Sequence, residues 1–411
     1  MPGSRYTQAS TSSSAGEPPE PGPRHSRDRR RRWAPHWPRR TWSRVALTEL
    51  IVIMVPITWS VGHALTMPGG GSVSERLAEW ARDHYLGPVV TMGEWLTYQP
   101  PKVGGKPSFK LTGPSAAAAN RAAVQKAHQR AAAVATYGPP AQLQSMAGQP
   151  LPGEGVWRIL GTVNGDPAIY GTYLRPSSLY SSYVAGIVSM NQSLVRFELR
   201  PGAEDPGPGA WHAASSILPG TRQGLLATFN SGFKISTSDG GFYLNGATSG
   251  TLTPGVASEV YYRDGHMAIV VWGQTVMMTP DVVGVRQNLH LIVAHGHVPP
   301  SVDNNVEANW GATLGGGYYV WRSGIGMTRD GRVIFVYGPA LNVRELAELM
   351  QHAGVVTGME LDINPDWMSY MYYLNSQSAN PRPVNMLPDQ TQPADRYYSS
   401  ASRDFTAVYA R

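Results

Sequence analysis

RVIFVYGPALNVRELAELMQHAGVVTGMELD, residues 332 to 362, changes its hydrophobic period twice. Arg332 to Tyr337 is β-branched and aromatic and predicts a strand. Asn342 followed by Glu345 is a capping-box signal. Leu346, Leu349, Met350 and Ala353 then recur at helical spacing, and Gly354 supplies the stop. Val355 to Asp362 predicts a second strand. Two strands joined by one helix predict a parallel pair with a right-handed crossover, whose ligand end is the carboxyl end of the second strand. That end carries Glu360 and Asp362, which the two-residue period sends to one face while Met359 and Leu361 take the other. Such a carboxylate pair can share acid and base roles, because mutual repulsion raises one pKa; solvated strand-end acids are the alternative.

Beyond this segment comes INPDWMSYMYYLN, which brings Asn364, Asp366, Trp367, Tyr370, Tyr372 and Tyr373 together. Aromatic rings beside acids suit a sugar, and packing against the core is the plainer reading of each tyrosine. Before it, Trp321, Arg322, Ser323, Gly324, Ile325 and Gly326 precede an Asp330-Gly331 turn. Arg322 is therefore expected to end a strand ahead of a tight glycine backbone. There its fork would suit phosphate or carboxylate, or else form a structural ion pair. Further back, Asn230, Ser231, Gly232, Phe233 and Lys234 leave a strand for a glycine turn. Lys234 could pair with a phosphate as a point charge or remain a solvated surface group.

Other candidate strands are Ala168 to Leu174, Ser193 to Leu199, Gly224 to Asn230, Val260 to Arg263, Met267 to Trp272, Leu289 to Ala294 and Tyr318 to Trp321. Asp264-Gly265 predicts a type I′ hairpin turn. His295 and His297 are expected on one strand face, yet no third ligand lies nearby and no metal is assigned. Asp303, Asn304, Asn305 and Glu307 lack calcium-loop spacing. No nucleophile elbow, P-loop, zinc-protease or dinucleotide fingerprint stands in a strand-turn-helix context, and Gly315 to Gly317 makes none, so no cofactor is called for.

The chain has 411 residues and no cysteine, which excludes disulfides, thiolate metal sites and a cysteine nucleophile. Its 45 glycines and 34 prolines favour turn-rich β structure. The net charge of +6 is concentrated at one end, since residues 1 to 44 hold 10 Lys+Arg against 3 Asp+Glu. The remainder is close to neutral and offers no nucleic-acid face. Residues 1 to 44, with Arg29 to Arg32, predict a disordered cytoplasmic tail. VALTELIVIMVPITWSVG, from Val45 to Gly62, predicts a membrane helix within residues 45 to 63. Arginines on its N-terminal side alone place the tail in the cytoplasm and the rest outside. Residues 64 to 150 read as a stalk without chemistry: a short amphipathic helix near Val73 to Tyr85, a Pro/Gly loop, and an alanine-rich helix from Ser115 to Thr136. The predicted fold is α+β. A mixed β-sheet domain over residues 151 to 411, with flanking helices and the C-terminal βαβ unit, follows the span and the stalk.

The Asn-Ser-Gly-Phe turn at Asn230 to Phe233, the run Arg322 to Gly326 with Thr328, Asp330 and Gly331, and the helix leading to Met359, Glu360, Leu361 and Asp362 keep a characteristic order. From about Leu225 to Arg411 the chain resembles the phosphodiester glycosidase family. These are bacterial relatives of the lysosomal enzyme that uncovers mannose 6-phosphate by removing N-acetylglucosamine from a phosphodiester. Arg-rich, Lys-poor composition fits a divergent, actinobacterial-type member. The resemblance implies Asn230, Arg322 and Asp362 as site positions. Local chemistry adds Glu360 to the catalytic set and Lys234, Asn364, Asp366 and Trp367 to substrate binding. One departure is plain: Ile363, Asn364, Pro365, Asp366 and Trp367 stand where the family has a glycine-rich stretch, so a proline removes a donor where glycines would admit a ligand. The expected function is a membrane-anchored extracytoplasmic hydrolase that cleaves a sugar from a glycosyl phosphodiester in cell-envelope glycan metabolism. The alternative is a non-catalytic protein that binds a glycan or teichoic-type polymer in the same cleft. The expected partners are the lipid bilayer and a glycan or glycosyl-phosphate ligand.

Overall fold

The computed structural model describes residues 39–66, 72–112, 138–304, 310–311 and 318–411. The alanine-rich helix, Gly315 to Gly317, Asn305, Glu307 and all but the end of the basic tail lie outside the described residues. Four α-helices enter the description: α1 (Arg39–Thr66), α2 (Val73–Ala81), α3 (Gly87–Thr97) and α4 (Val343–His352). Among the described residues α1 alone is long and apolar enough to cross a membrane, over Arg44–Thr66. A kink over Arg82–Leu86, in which Tyr85 has φ 64°, separates α2 from α3. The first part of the expected Pro/Gly loop, Gly87–Thr97, is thus helical, with Pro88 in the first turn of α3, where its missing N–H costs nothing, while residues 98–112 form neither helix nor strand.

Seventeen strands follow among the described residues. The first five are β1 (Arg158–Val163), β2 (Asp166–Leu174), β3 (Ala185–Met190), β4 (Val195–Arg200) and β5 (Leu225–Asn230). Next come β6 (Phe242–Leu244), β7 (Ala247–Ser249), β8 (Ala257–Tyr262), β9 (Met267–Val271), β10 (Val282–Gln287) and β11 (Leu291–Val293). The last six are β12 (Val320–Thr328), β13 (Val333–Leu341), β14 (Val355–Glu360), β15 (Tyr370–Leu374), β16 (Arg382–Asn385) and β17 (Phe405–Ala410). They form three sheets, ordered β1-β2-β3-β13-β12-β14-β11, β7-β6-β10-β8-β9 and β16-β15-β5-β17-β4. The chain is α+β and mostly β.

Pairing between named strands is antiparallel throughout. The two strands joined by α4, β13 and β14, run in the same direction with β12 between them, antiparallel to both. Two-residue alternation along β13 feeds two cores. Ile334 and Val336 pack with α4, while Val333, Phe335 and Tyr337 pack against Phe229, Tyr370 and Val408 of the β5 sheet. Arg322 lies near the start of β12, so the glycines after it belong to the strand. Their absent side chains explain the placement: a Cβ on Gly324 would lie 2.8 Å from Met350 Sδ, and one on Gly326 would lie 3.1 Å from Met350 Cε. Bare backbone there lets α4 approach the sheet.

Two further expectations change. At the Tyr262-Met267 turn only Gly265 has positive φ (84°), and the Tyr262 N–H donates to His266 O, so the turn is longer than type I′. His295 has φ 53° in a tight turn after β11, closed by bonds between Ala294 and His297, and the two histidines do not share a strand face.

Candidate active site

The Asn230-Ser231-Gly232-Phe233 turn lies between two buried clusters of acids and guanidinium groups. Asn230, at the end of β5, is buried. Its Nδ2 donates to Ser323 Oγ at 3.0 Å, and its Oδ1 accepts from the Ser369 N–H at 3.0 Å, which ties β5, β12 and the loop before β15 together. Ser231 serves both clusters: its carbonyl accepts from the Asp362 N–H at 3.2 Å, and its hydroxyl donates to Glu259 Oε2 at 3.1 Å. Asn288 closes the turn from outside, accepting from the Phe233 N–H and donating to Glu360 O. A Cβ on Gly232 would lie 2.9 Å from Asn288 Cγ, so glycine is needed for this approach.

The first cluster contains the acids of the MELD segment. Glu360 is fully buried and accepts from Arg322 NH1 at 2.5 Å, while Arg322 Nε donates to Leu341 O at 3.1 Å. The other Glu360 oxygen, Oε2, has no partner. Burial pushes the Glu360 carboxyl up to about 7 against the pull of Arg322, and the Asp362 charge adds to the rise. Asp362 lies just beyond the end of β14 and takes hydrogen-bond partners different from those of Glu360. Its Oδ1 accepts from the Asn364 N–H at 2.8 Å, and its carbonyl accepts from Ser323 Oγ at 2.7 Å. Burial pushes its carboxyl up to about 6, opposed chiefly by the Arg403 charge. Arg322 therefore meets Glu360, and the cations bearing on Asp362 are Arg403 first and Arg396 less strongly.

Asn364 Oδ1 accepts from the Asp366 N–H, so these residues build the turn that presents Asp362. Trp367 is buried, with the Arg403 and Arg396 guanidinium carbons 5.0 and 5.3 Å from its ring centre. Tyr370, Tyr372 and Tyr373 belong to β15 and are core residues.

The second cluster was not legible as a site in the sequence. Glu259 in β8 is fully buried, and burial aided by the Asp404 charge pushes it up to about 8. Arg286 in β10 donates through Nε to Asp404 Oδ2 at 2.7 Å, and also bonds the Phe233 carbonyl. The available signal was a lone charge inside an apolar run, in SEVYY and VVGVRQ.

Lys234 reaches towards the segment read as a stalk. Its Nζ lies 2.8 Å from Glu79 Oε1 on α2 and 3.0 Å from Asp83 Oδ1, and Arg403 NH2 donates to the same Glu79 oxygen at 2.6 Å. Burial would raise the Glu79 carboxyl, but the two cations outweigh it and hold it below its usual range. Other described residues of that segment also pack on the domain, with Leu111 buried in its core and Trp157 Nε1 donating to Ala141 O. A separate groove of about 610 Å³, lined by Tyr243, Asn245, Arg263 and Met278 among others, contains no acid.

These buried acids set the pH dependence of stability. Glu259, Glu360 and Asp362 have folded values of about 8, 7 and 6, above their ordinary 4.5, 4.5 and 3.8. Between those limits the folded chain holds protons that the unfolded chain has released, so stability falls as pH rises. Scanning calorimetry from about pH 5 to about pH 8 should show a decreasing Tm, and Glu259→Gln should flatten the upper part of that slope.

The architecture, then, is a three-sheet α+β domain whose buried acid-guanidinium clusters meet at one glycine turn. Residues 224–384 match the family model of the phosphodiester glycosidases, which supports the sequence resemblance at the level of the family. A solved structure of the zebrafish N-acetylglucosamine-1-phosphodiester alpha-N-acetylglucosaminidase catalytic domain, auto-inhibited by its pro-peptide, is 14% identical with a TM-score of 0.40, covering 66% of this chain and 95% of that one. A hypothetical protein from Synechocystis is 12% identical with a TM-score of 0.32, covering 61% and 63%. No curated protein matches.

Proposed function

We propose that the chain is a membrane-anchored hydrolase releasing a sugar from a glycosyl phosphodiester in the cell envelope. In this reading α1 anchors it, the arginine-rich N-terminus stays in the cytoplasm, and the domain faces outward. Asp362 is the reacting carboxylate, and its surroundings are the observation that carries the reading. It is buried yet keeps 5% of its surface exposed, it is oriented by the Asn364 N–H, and its pKa of about 6 leaves it mostly ionised at neutral pH. Phosphate is a good leaving group, so stabilising charge and activating water matter more than protonating the departing oxygen. Lys234 and Arg403 receive the phosphate. Trp367 holds Arg403 in place, while Asn230, Asn364 and Asp366 shape the turn around the acid. Glu360 and Arg322 are positioning residues behind it.

Full-length protein in detergent, given a UDP-sugar or a sugar-1-phosphodiester, should release free sugar. Binding of cell-wall polysaccharide without turnover would instead support the second reading, a glycan or teichoic-type polymer binder. That alternative is favoured by Pro365 and the buried Trp367, which stand where the family has glycines.

Glu79 fills the space between the two cations with a carboxylate of the chain's own. Glu79→Gln should therefore lower KM by about fivefold, equivalent to about 1 kcal/mol of released competition, with kcat little changed. Steady-state kinetics on the same substrate checks it, and an unchanged or raised KM would remove Lys234 and Arg403 from the phosphate site.

A further inference from the structure

Helix α3 is turned inside out for a soluble protein. Its inward positions are Gly87, Val90 and Glu94, and Glu94 accepts both of its bonds from Arg82 NH2, at 2.5 and 2.6 Å. The opposite side carries Val89, Met92 and Leu96, with Trp95 and Pro88 beside them and Tyr85 just before the helix. Val89, Met92, Trp95 and Leu96 are 60 to 69% exposed, and that side contains no charge. Positions 89, 92 and 96 are helical neighbours, so the apolar residues form one stripe. A continuous exposed stripe of this size marks a surface that meets something apolar.

The neighbouring segment indicates the occupant. The last turns of α1 are bonded to α2 and, through Ser60 Oγ 3.2 Å from His84 Nε2, to the kink that leads directly into α3. Arg76 NH1 donates to Leu65 O at 2.7 Å, Trp80 Nε1 donates to Ser60 Oγ at 3.0 Å, and the His84 ring lies 4.5 Å from that of Trp80. We propose that α3 lies in the surface of the lipid bilayer, with Val89, Met92 and Leu96 among the upper acyl chains and Trp95 at the headgroups. The proposal rests on the reading of α1 as a membrane span. A helix with an apolar face and an interfacial tryptophan is the form such docking takes. Its consequence is orientation: α2, which carries Glu79 to Lys234 and Arg403, is held between two membrane-seated helices.

The chain has no cysteine, so single labels can be placed without background. Full-length protein carrying Val89→Cys, Met92→Cys or Leu96→Cys is nitroxide-labelled and reconstituted in phosphatidylcholine-phosphatidylglycerol vesicles. Ile53→Cys reports on the span, and Ala379→Cys, on an exposed turn, reports on water. Spin relaxation by oxygen, which partitions into lipid, is compared with relaxation by a water-soluble nickel chelate. The α3 labels should show an oxygen-to-nickel ratio at least about fivefold above that at position 379. A water-like ratio on α3 with a lipid-like ratio at position 53 overturns the docking and leaves the anchor intact. A water-like ratio at position 53 overturns both. Shielding of the α3 labels from both reagents, with dipolar broadening between chains, makes the occupant a second copy and also overturns the proposal.

Discussion

Asp362→Asn should lower sugar release by about 100- to 10,000-fold, the range associated with losing a positioned acid or base. The fold should be nearly untouched. Asparagine keeps the volume, and its Oδ1 can still accept the Asn364 N–H that now bonds the aspartate at 2.8 Å. The backbone anchors at this position, from Ser323 Oγ to the carbonyl and from the Asp362 N–H to Ser231 O, do not involve the side chain. Replacing an acid raised to about 6 by a neutral group also removes a burial cost, so Tm should hold or rise slightly at neutral pH. Sugar release per unit of protein, with a thermal melt on the same sample, checks the pair of outcomes. Full turnover in the folded variant removes Asp362 from the chemistry.

Helix α4 was legible in the sequence down to its capping box, in which Asn342 Oδ1 accepts from the Glu345 N–H and Glu345 Oε2 from the Asn342 N–H. Local rules sufficed there because the partners lie three residues apart. The strands on either side were placed less well, because every residue of β13 is buried and a strand covered on both faces loses its alternation. β3, which reads AGIVSM and is buried throughout, was missed for the same reason. At the site, the Asn230, Arg322, Glu360 and Asp362 positions could be picked out as unusual polar residues at strand ends. Their pairing could not, since Glu360 takes Arg322 from the neighbouring strand while the charge acting most on Asp362 is that of Arg403, and no local pattern assigns those partners. Arg403 and Glu79 were illegible for the same reason. Each acquires its meaning from a partner hundreds of residues away, and no local pattern encodes that contact.

The pairing of Arg322 with Glu360 can be separated from chemistry by stability. Both side chains are within 1% of complete burial, and Glu360 Oε2 is unsatisfied. Removing one partner strands a charge where water cannot reach it. Arg322→Met should therefore destabilise the protein by about 3–5 kcal/mol, enough to consume much of a domain's stability. Part of that loss is recoverable by neutralisation, because a Glu360 already pushed up to about 7 takes a proton readily; the defect should shrink as pH is lowered from about 8 to about 6. The double variant Arg322→Met, Glu360→Met removes both charges and should return to within about 1 kcal/mol of the parent, since apolar side chains of similar volume often replace a buried ion pair at no cost. Urea unfolding of the three proteins measures the coupling directly, and equal destabilisation in the single and double variants would mean that the pair is not a stabilising unit. The folded double variant then reads function. Because Ser323 fixes the Asp362 carbonyl from the residue beside Arg322, a positioning pair predicts reduced kcat with an altered pH profile, whereas turnover equal to the parent would make Arg322 and Glu360 scaffold alone.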